Sequence, residues 1–176
     1  MTDLQVLVAY ASKHGSTRGI AEAIAGRLTE AGCQAEARPV DDDPDPRGSD
    51  AVVIGSAIYV GSWLKEATEF AHRHADVLGR VPVWLFSSGP LGVEVSDDEE
   101  QPRQLGELTE MLHPIGHRVF FGSLDRDKLG FGERMVVKAV KAPEGDFRDW
   151  NEITAWADEI ASALAGAEPS VPSDER

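Results

Sequence analysis

Three runs of mostly apolar residues constrain the fold of this chain more than any other feature. They cover Leu4–Tyr10, Ala51–Ser56 and Val81–Ser88, and each is short enough to be a strand. A strand with one face in water alternates apolar and polar residues, whereas a strand covered on both faces shows a continuous apolar run. The sequence therefore predicts a parallel sheet that is buried on both faces.

Segments with helical periodicity separate these runs. Ser16–Ala31 places Ile20, Ile24 and Leu28 on one face, and Gly32 ends this helix. Two further strands are predicted, an outer one over Cys33–Val40 and a later one over His117–Leu124. Two further helices have apolar faces formed by Leu64, Ala67, Ala71, Ala75 and Leu78 in the first and by Leu105, Leu108, Leu112 and Ile115 in the second. The last helix is capped by Asp149, and its apolar stripe consists of Ile153, Trp156, Ile160 and Leu164. Because strands alternate with helices, the fold class is α/β, a three-layer sandwich with helices on both faces of the sheet.

The chain is long enough for a single domain with its own core. Its 176 residues are predicted to form one domain over residues 1–166, followed by a polar, proline-containing tail over residues 167–176 that we expect to be disordered. Cys33 lies in the predicted outer strand and Trp84 lies inside an apolar strand, so both are predicted to be core residues. No apolar run approaches about 18 residues, and a single cysteine is typical of a reducing compartment, so we expect a cytoplasmic protein without a transmembrane segment.

The loop after the first apolar run, in the sequence YASKHGST (residues 10–17), is typical of a phosphate site. The first N–H groups of the helix that follows lack partners within the helix and carry a partial positive charge, so they bind anions well. Gly15 lets the backbone approach a ligand closely, and the hydroxyls of Ser12, Ser16 and Thr17 add donors. Neither the lysine-containing P-loop nor the three-glycine dinucleotide pattern is present. An ordinary helix cap is the alternative.

Two further loops follow the second and third apolar runs, in the sequences GSAIYVGSW (residues 55–63) and SSGPLG (residues 87–92). The carboxyl ends of neighbouring parallel strands meet at one edge, so the three loops are predicted to surround one crevice. The second loop would supply an aromatic face through Tyr59 or Trp63, and the third would supply backbone N–H and C=O groups. A flat phosphorylated ring such as FMN requires this combination. Packing in the core is the alternative for both aromatic residues.

Three stretches of the sequence resemble a known family. VLVAYASKHGSTRGIAEAIA and VVIGSAIYVGSW are similar to flavodoxins, and RMVVKAVKAPEGDFRDWNEITAWADEIA is more particular to the menaquinone-dependent protoporphyrinogen dehydrogenases. The resemblance covers residues 4–165 and implies a five-stranded sheet of order 2-1-3-4-5 that binds FMN where the strand order reverses. It also implies electron transfer from a porphyrinogen to a quinone.

The resemblance also assigns site residues by position. The FMN phosphate would be held by Ser12, Lys13, His14, Gly15, Ser16 and Thr17. The flavin ring would be lined by Ser56, Ala57, Ile58, Tyr59, Gly61, Ser88, Gly89, Pro90, Leu91 and Gly92, with Trp63 as the second aromatic candidate. No catalytic side chain is assigned, because the flavin itself performs the chemistry. No metal site is expected, since Asp41–Asp45, His72 and His74 lack the spacing of metal ligands.

The formal net charge of −14 bears on the partners of this chain. Such a surface repels nucleic acids and attracts basic proteins. The acidic run Asp97–Glu100 departs from the pattern of the protoporphyrinogen dehydrogenases, and a rim of this charge would repel the propionates of a porphyrinogen. Arg134, Lys138 and Lys141 share one face of a predicted helix, which we expect to be solvated. An anionic substrate, a peripheral membrane surface and the second subunit of a homodimer are the alternatives for that face.

Two functions from different classes are compatible with these features. The first is an FMN-dependent oxidoreductase that moves electrons between a reduced small-molecule donor and a quinone-type acceptor. The second is a non-catalytic flavodoxin electron carrier, whose acidic surface would dock on basic redox proteins. A third, a flavin-free domain acting through protein contacts like a receiver domain, would need an acidic pocket, whereas the first strand ends in Tyr10, Ala11 and Ser12.

Overall fold

The computed structural model of the chain describes residues 4–13, 15–59, 62–89, 104–120, 123–124, 145–146 and 148–166. Its elements in chain order are β1 (Gln5–Ala11), α1 (Ser16–Glu30), β2 (Gln34–Pro39), a 3-10 turn (Val40–Asp42), β3 (Ala51–Tyr59), β4 (Ser62–Trp63), α2 (Lys65–Arg73), α3 (Ala75–Leu78), β5 (Val83–Ser88), α4 (Leu105–Leu112), β6 (Gly116–Phe120), β7 (Ser123–Leu124), β8 (Gly145–Asp146) and α5 (Trp150–Gly166). Strands and helices alternate through most of the chain, which confirms the predicted α/β class.

The five longer strands form one parallel sheet in the order β2-β1-β3-β5-β6, and the short β4 pairs antiparallel with the end of β3. Counted along the chain without β4, this is the predicted order 2-1-3-4-5. Strand order reverses at β1, because β2 lies on one side of it and β3 and the later strands lie on the other. A crevice beyond the carboxyl ends of β1 and β3 is therefore the expected ligand position.

Each face of the sheet has a core of its own. Val6 and Val8 of β1 pack with α1 and α5 on one face. Leu7 and Ala9 pack with α2, α3 and α4 on the other face. Because successive side chains of β1 enter different cores, the strand is apolar at every position from Val6 to Ala11, and this explains the apolar run in the sequence.

Helix α5 begins and packs as the sequence predicts. The Asp149 carboxylate oxygen Oδ1 accepts the backbone N–H groups of Asn151 at 3.0 Å and Glu152 at 3.1 Å, which satisfies two donors at the helix start. The predicted stripe of Ile153, Trp156, Ile160 and Leu164 is buried. The predictions for Cys33 and Trp84 are also confirmed, with 5% and 4% of each residue exposed.

Strand β3 and the helix predicted over residues 64–78 differ from their predicted bounds, and both differences occur at tertiary contacts. Strand β3 continues past Ser56 to Tyr59, since β4 provides an antiparallel partner for its last residues. The helix predicted over residues 64–78 is broken at His74, whose φ of −108° and ψ of 19° are not helical. There His74 Nε2 lies 2.8 Å from the Asp43 carboxylate, and its ring packs 4.7 Å from that of Phe70.

The strand predicted over His117–Leu124 is split into two. β6 ends at Phe120, and β7 instead pairs with β8 in a separate two-stranded antiparallel sheet. The prediction for Ile115 is wrong, since 59% of this residue is exposed. The preceding helix already ends at Leu112, and His113 takes a left-handed conformation (φ 49°), so helical spacing no longer applies at Ile115.

Among the described residues, no helix is both long enough and apolar enough to cross a membrane. The same residues contain no group of three or more His, Cys, Asp or Glu side chains arranged to hold a metal ion. The predicted tail over residues 167–176, the acidic run Asp97–Glu100 and the basic face at Arg134, Lys138 and Lys141 lie outside the described residues.

Candidate functional site

The loop between β1 and α1 contains a glycine in the left-handed conformation. Gly15 directly precedes α1 with φ 91° and ψ −10°, a conformation that side chains with a Cβ rarely adopt. Its N–H donates to Ser12 Oγ at 3.0 Å, and its carbonyl oxygen accepts the N–H of Gly19 at 3.1 Å. An added Cβ at Gly15 would meet nothing within 4 Å, so backbone conformation rather than space requires glycine here.

Thr17 carries a buried hydroxyl that lacks a partner among the described residues. The residue is 0% exposed, and its hydroxyl has no hydrogen-bond partner in the part of the chain that the structure describes. A buried hydroxyl without a partner costs about 1–3 kcal/mol. It sits in the first turn of α1, where the backbone N–H groups also favour an anion. Ser16–Gly19, the four residues of this turn, contain no acidic side chain that would oppose one.

The sheet register brings the three loops to one edge. Ala11 lies opposite Ser56, and Ser56 lies opposite Ser87, so β1, β3 and β5 reach this edge in step. Gly89, with φ 113°, passes so close to the second loop that an added Cβ would lie 3.6 Å from the Ile58 carbonyl oxygen. The predicted convergence of the second and third loops is therefore observed in the described residues.

The second and third loops are joined by hydroxyl groups that already have partners. Ser56 Oγ donates to the Ala57 carbonyl oxygen and accepts the Leu64 N–H, both at 2.9 Å. Ser87 Oγ accepts the indole N–H of Trp63 at 2.8 Å. Trp63 itself is only 3% exposed and packs in the core on the α2 side of the sheet.

A half-buried histidine completes this network. His117 Nε2 lies 2.9 Å from Ser87 Oγ, and burial lowers the pKa of His117 to about 4. The imidazole is therefore neutral at pH 7. If Ser87 Oγ accepts the indole N–H of Trp63 and donates its own proton to His117 Nε2, both hydrogen bonds are satisfied, and the proton of the neutral imidazole lies on Nδ1.

The other residues predicted for the site differ in how far they are buried. Ser88 is buried beside Ser87, Lys13 is exposed, and Ser12 and Ser16 are half-buried. Tyr59 is described by its backbone pairing alone. Five of the predicted residues lie outside the described residues: His14, Gly61, Pro90, Leu91 and Gly92.

Four residues near the loops were missed from the sequence. Ser87 and His117 lie in the network beneath the third loop, and Gln104 Oε1 accepts the backbone N–H of Trp63 at 3.0 Å. Arg148 donates to the carbonyl oxygen of Ser16 at 3.4 Å. Strand pairing could have indicated Ser87, which precedes a predicted site residue. The other three are far away in the chain and have no local signal.

Comparison with known proteins fits this geometry. A profile of the flavodoxin domain matches residues 7–151, most of the chain and all three strands that carry the loops. The chain belongs to the flavodoxin domain family. Protoporphyrinogen IX dehydrogenase [quinone] of Escherichia coli (strain K12) is 24% identical over 172 residues, which cover 90% of this chain and 95% of that protein.

Solved structures show the same flavodoxin fold. A flavodoxin from the domain Archaea superposes with a TM-score of 0.64 at 15% identity, covering 92% of this chain and 99% of that one. Rubredoxin oxygen:oxidoreductase from Desulfovibrio gigas superposes with a TM-score of 0.61 at 14% identity, covering 94% of this chain and 37% of that one. At these identities the likeness concerns the fold.

The flavodoxin family implies a flavin cofactor, and the described residues fit such a group. The buried hydroxyl of Thr17 and the left-handed turn at Gly15 suit a phosphate or another anion of similar size. The Ile58 and Gly89 backbones lie side by side and offer a narrow wall for a flat ring. The Ser56 and Ser87 hydroxyls are engaged within the protein, so this wall would act through its shape and its backbone groups.

Proposed function

We propose that this chain binds FMN at the carboxyl edge of β1, β3 and β5 and acts as an FMN-dependent oxidoreductase. The observation that carries the proposal is the Thr17 hydroxyl, buried without a partner among the described residues in the first turn of α1. A phosphate oxygen at this turn would accept from that hydroxyl and from the N–H groups of the turn. Membership of the flavodoxin family supports the choice of a flavin phosphate.

The loops divide the binding of FMN between them. Residues 12–17 would hold the phosphate: Ser12, Lys13, His14, Gly15, Ser16 and Thr17. The ring would lie against Ser56, Ala57, Ile58, Tyr59, Gly61, Ser88, Gly89, Pro90, Leu91 and Gly92. Trp63 supports this wall from within, since its indole N–H is bonded to Ser87 and 3% of the residue is exposed.

FMN would supply the electron-transfer chemistry, so the protein's own task is to bind and orient it. The wall at Ile58 and Gly89, both half-buried, would shield one side of the ring from water. The neutral His117, bonded to Ser87, keeps a full positive charge away from the third loop at pH 7.

The name of the E. coli relative and the charge of this chain support a choice of donor and acceptor. That relative is named for protoporphyrinogen and quinone, and we propose a reduced small-molecule donor and a quinone-type acceptor for this chain. Asp97–Glu100 follow the third loop in the sequence, and their charge would repel an anionic porphyrinogen. A quinone carries no such charge.

A second candidate function is electron carriage between proteins without turnover of a small substrate. The net charge of −14 supports it, because an acidic surface would attract basic redox proteins. Turnover separates the two functions: the enzyme would oxidise a small donor with a quinone alone, whereas the carrier would need a second protein.

The first test is a titration of flavin-free protein with FMN and with riboflavin, followed by flavin fluorescence. We expect saturable quenching at one equivalent of FMN and much weaker binding of riboflavin, which lacks the phosphate. Equal affinity for the two would contradict a phosphate site in residues 12–17. No binding of FMN at high micromolar concentration would contradict the proposed function as a whole.

The second test concerns catalysis. The FMN-loaded protein is mixed with a small hydride donor, such as a porphyrinogen, and with a water-soluble naphthoquinone. Reduction of the quinone is then recorded. Sustained turnover without a second protein is the expected result. Reduction of the flavin followed by transfer only to an added basic redox protein would favour the electron carrier.

A further inference from the structure

Arg148 lies against the first turn of α1, although it comes late in the chain. Its Nη1 donates to the Ser16 carbonyl oxygen at 3.4 Å, and its guanidinium carbon lies 4.7 Å from the ring centroid of Trp150. Only 17% of the Arg148 side chain is exposed. The turn that begins α1 therefore has a planar cationic side chain packed along its flank.

Gly19 provides the space for this contact. A Cβ at position 19 would lie 2.5 Å from Arg148 Nη1 and 3.7 Å from the Trp150 ring. A distance of 2.5 Å is too short, so a side chain here would displace the guanidinium. Glycine is unfavourable inside a helix, and the close approach of Arg148 gives a physical reason for its presence one turn after the loop.

Asp146 fixes the orientation of the guanidinium. The carboxylate accepts from Nε at 2.9 Å and from Nη2 at 2.7 Å, and it also accepts the backbone N–H of Arg148 at 3.0 Å. This two-pronged pairing leaves Nη1 directed to Ser16. Because the two charges oppose each other at close range, the pair as a whole has little net attraction for an anion nearby.

We propose that Arg148 is a positioning residue for the phosphate site. Held by Asp146 and seated on Gly19, it keeps the first turn of α1 in place. The backbone N–H groups of that turn and the Thr17 hydroxyl then meet a phosphate without rearrangement. This inference rests on the proposed binding of FMN. It predicts that Arg148 affects the affinity for FMN through geometry and not through its charge.

The central experiment compares Arg148→Gln with Arg27→Gln as a matched control. Arg27 also contacts a distant part of the chain from α1, through a two-pronged pair with Asp158 of α5 at 2.7 and 3.2 Å, but it lies at the opposite end of α1 from Ser16. We expect Arg148→Gln to raise the dissociation constant of FMN about tenfold, the size expected when the first turn of α1 loses the hydrogen bond from Arg148 to Ser16 that holds it in place. The affinity for riboflavin should change less than about twofold, and Arg27→Gln should leave both affinities unchanged.

Two further variants separate positioning from charge. Arg148→Lys keeps the charge but cannot form the two-pronged pair, and Asp146→Asn removes the partner that orients the guanidinium. If Arg148 acts by position, both variants weaken FMN binding about as much as Arg148→Gln. If it acts by charge, Arg148→Lys retains the affinity of the wild type and Asp146→Asn binds FMN more tightly, and either result would overturn the proposal.

Gly19→Ala disturbs the contact between Arg148 and α1 by adding a Cβ on the helix. Alanine favours the helix, so this variant should be at least as stable to urea as Arg148→Gln and yet bind FMN about as weakly. In the Arg148→Gln background the alanine should cause no further loss of affinity, because the contact is already gone. A loss of FMN affinity that simply follows the loss of stability across all variants, Arg27→Gln included, would mean a structural role and overturn the proposal.

The outcomes also distinguish this inference from the proposed function. If the wild type binds FMN much more tightly than riboflavin and Arg148→Gln does the same, the positioning role is wrong while the phosphate site stands. If the wild type does not bind FMN, the proposed function fails and the positioning role fails with it.

Discussion

The two sides of the crevice treat their buried hydroxyl groups in opposite ways. On the phosphate side, Thr17 Oγ1 is buried and has no partner among the described residues. On the other side, Ser56 bonds to Ala57 and Leu64, and Ser87 contacts Trp63 and His117. Both sides lie at the same edge of the sheet, where β1, β3 and β5 end next to one another.

Under the proposed function, this difference separates the hydroxyl that would bind the ligand from those that serve the fold. A buried hydroxyl without a partner destabilises the fold by about 1–3 kcal/mol, whereas one that is bonded within the protein does not. Thr17 is therefore unfavourable for folding alone and favourable for binding an anion. Ser56 and Ser87 are favourable for folding and have less to offer a ligand.

The largest effect on stability is expected on the side whose hydroxyl groups are satisfied. Ser87→Ala leaves the Trp63 indole N–H without its acceptor in the core, and it should lower the free energy of unfolding by about 1–3 kcal/mol. Ser56→Ala should act in the same direction through the Leu64 N–H. The affinity of the folded variants for FMN should stay within about twofold.

Urea unfolding and FMN titration of the same samples check this prediction, with Ser49→Ala as a control in a half-buried loop position. The control should change stability by less than about 0.5 kcal/mol. A tenfold loss of FMN affinity in Ser87→Ala at unchanged stability would reverse the comparison, since this hydroxyl would then serve the ligand.

The next effect concerns the left-handed glycines. Gly15 and Gly48 have φ values of 91° and 89°, and an added Cβ at either would meet nothing within 4 Å. Alanine at either position should cost about 1–2 kcal/mol through backbone strain. We expect only Gly15→Ala to weaken FMN binding, because its strain is released by moving the loop that would hold the phosphate. Equal FMN affinities of the two variants would show that residues 12–17 are not the binding loop.

The smallest effect is a pH dependence on the side with satisfied hydroxyl groups. Burial lowers the pKa of His117 to about 4, below its ordinary value of 6.5. Between these two pH values the unfolded chain binds a proton that the folded chain does not, so this histidine makes the fold less stable as the pH falls from about 6.5 towards 4. Above that range it has no such effect.

Urea unfolding of the wild type and His117→Gln between pH 7 and 4.5 measures this contribution. The stability of the wild type relative to the variant should fall over this range. The acidic groups whose pKa is lowered by arginine or histidine, Asp43, Asp45 and Asp146, lose their contribution below their ordinary pKa of 3.8, outside the window. Parallel curves would mean that the pKa of His117 is not lowered in the folded protein.

Most of the fold could be predicted from local patterns. The continuous run Leu4–Tyr10 indicated a strand buried on both faces, and its alternate side chains do enter two cores. The capping pattern at Asp149 located the start of α5. The failures come from long-range contacts: the pairing of β7 with β8 divides a strand that looked continuous, and the contacts of His74 with Asp43 and Phe70 accompany a break in a regular helical pattern.

The candidate site was predictable where its elements are local. The Gly15 turn and the Thr17 hydroxyl lie in one loop, and their residue types indicate anion binding directly. The sequence does not reveal that the Ser87 hydroxyl is already bonded to Trp63, because the partner lies 24 residues away. Arg148 and Ser16 are 132 residues apart, so their contact leaves no pattern in the chain.

The most direct test of the account is Thr17→Val, which removes the hydroxyl and keeps the shape of the side chain. Thr29→Val is the matched control on the same helix, where the threonine is exposed and its hydroxyl bonds to the Ala25 carbonyl oxygen at 2.9 Å. We predict that flavin-free Thr17→Val is more stable than the wild type by about 1 kcal/mol. Its affinity for FMN should fall at least about tenfold, while Thr29→Val binds FMN like the wild type. Unchanged FMN affinity in Thr17→Val would contradict the account, because this hydroxyl would then have no ligand to bind.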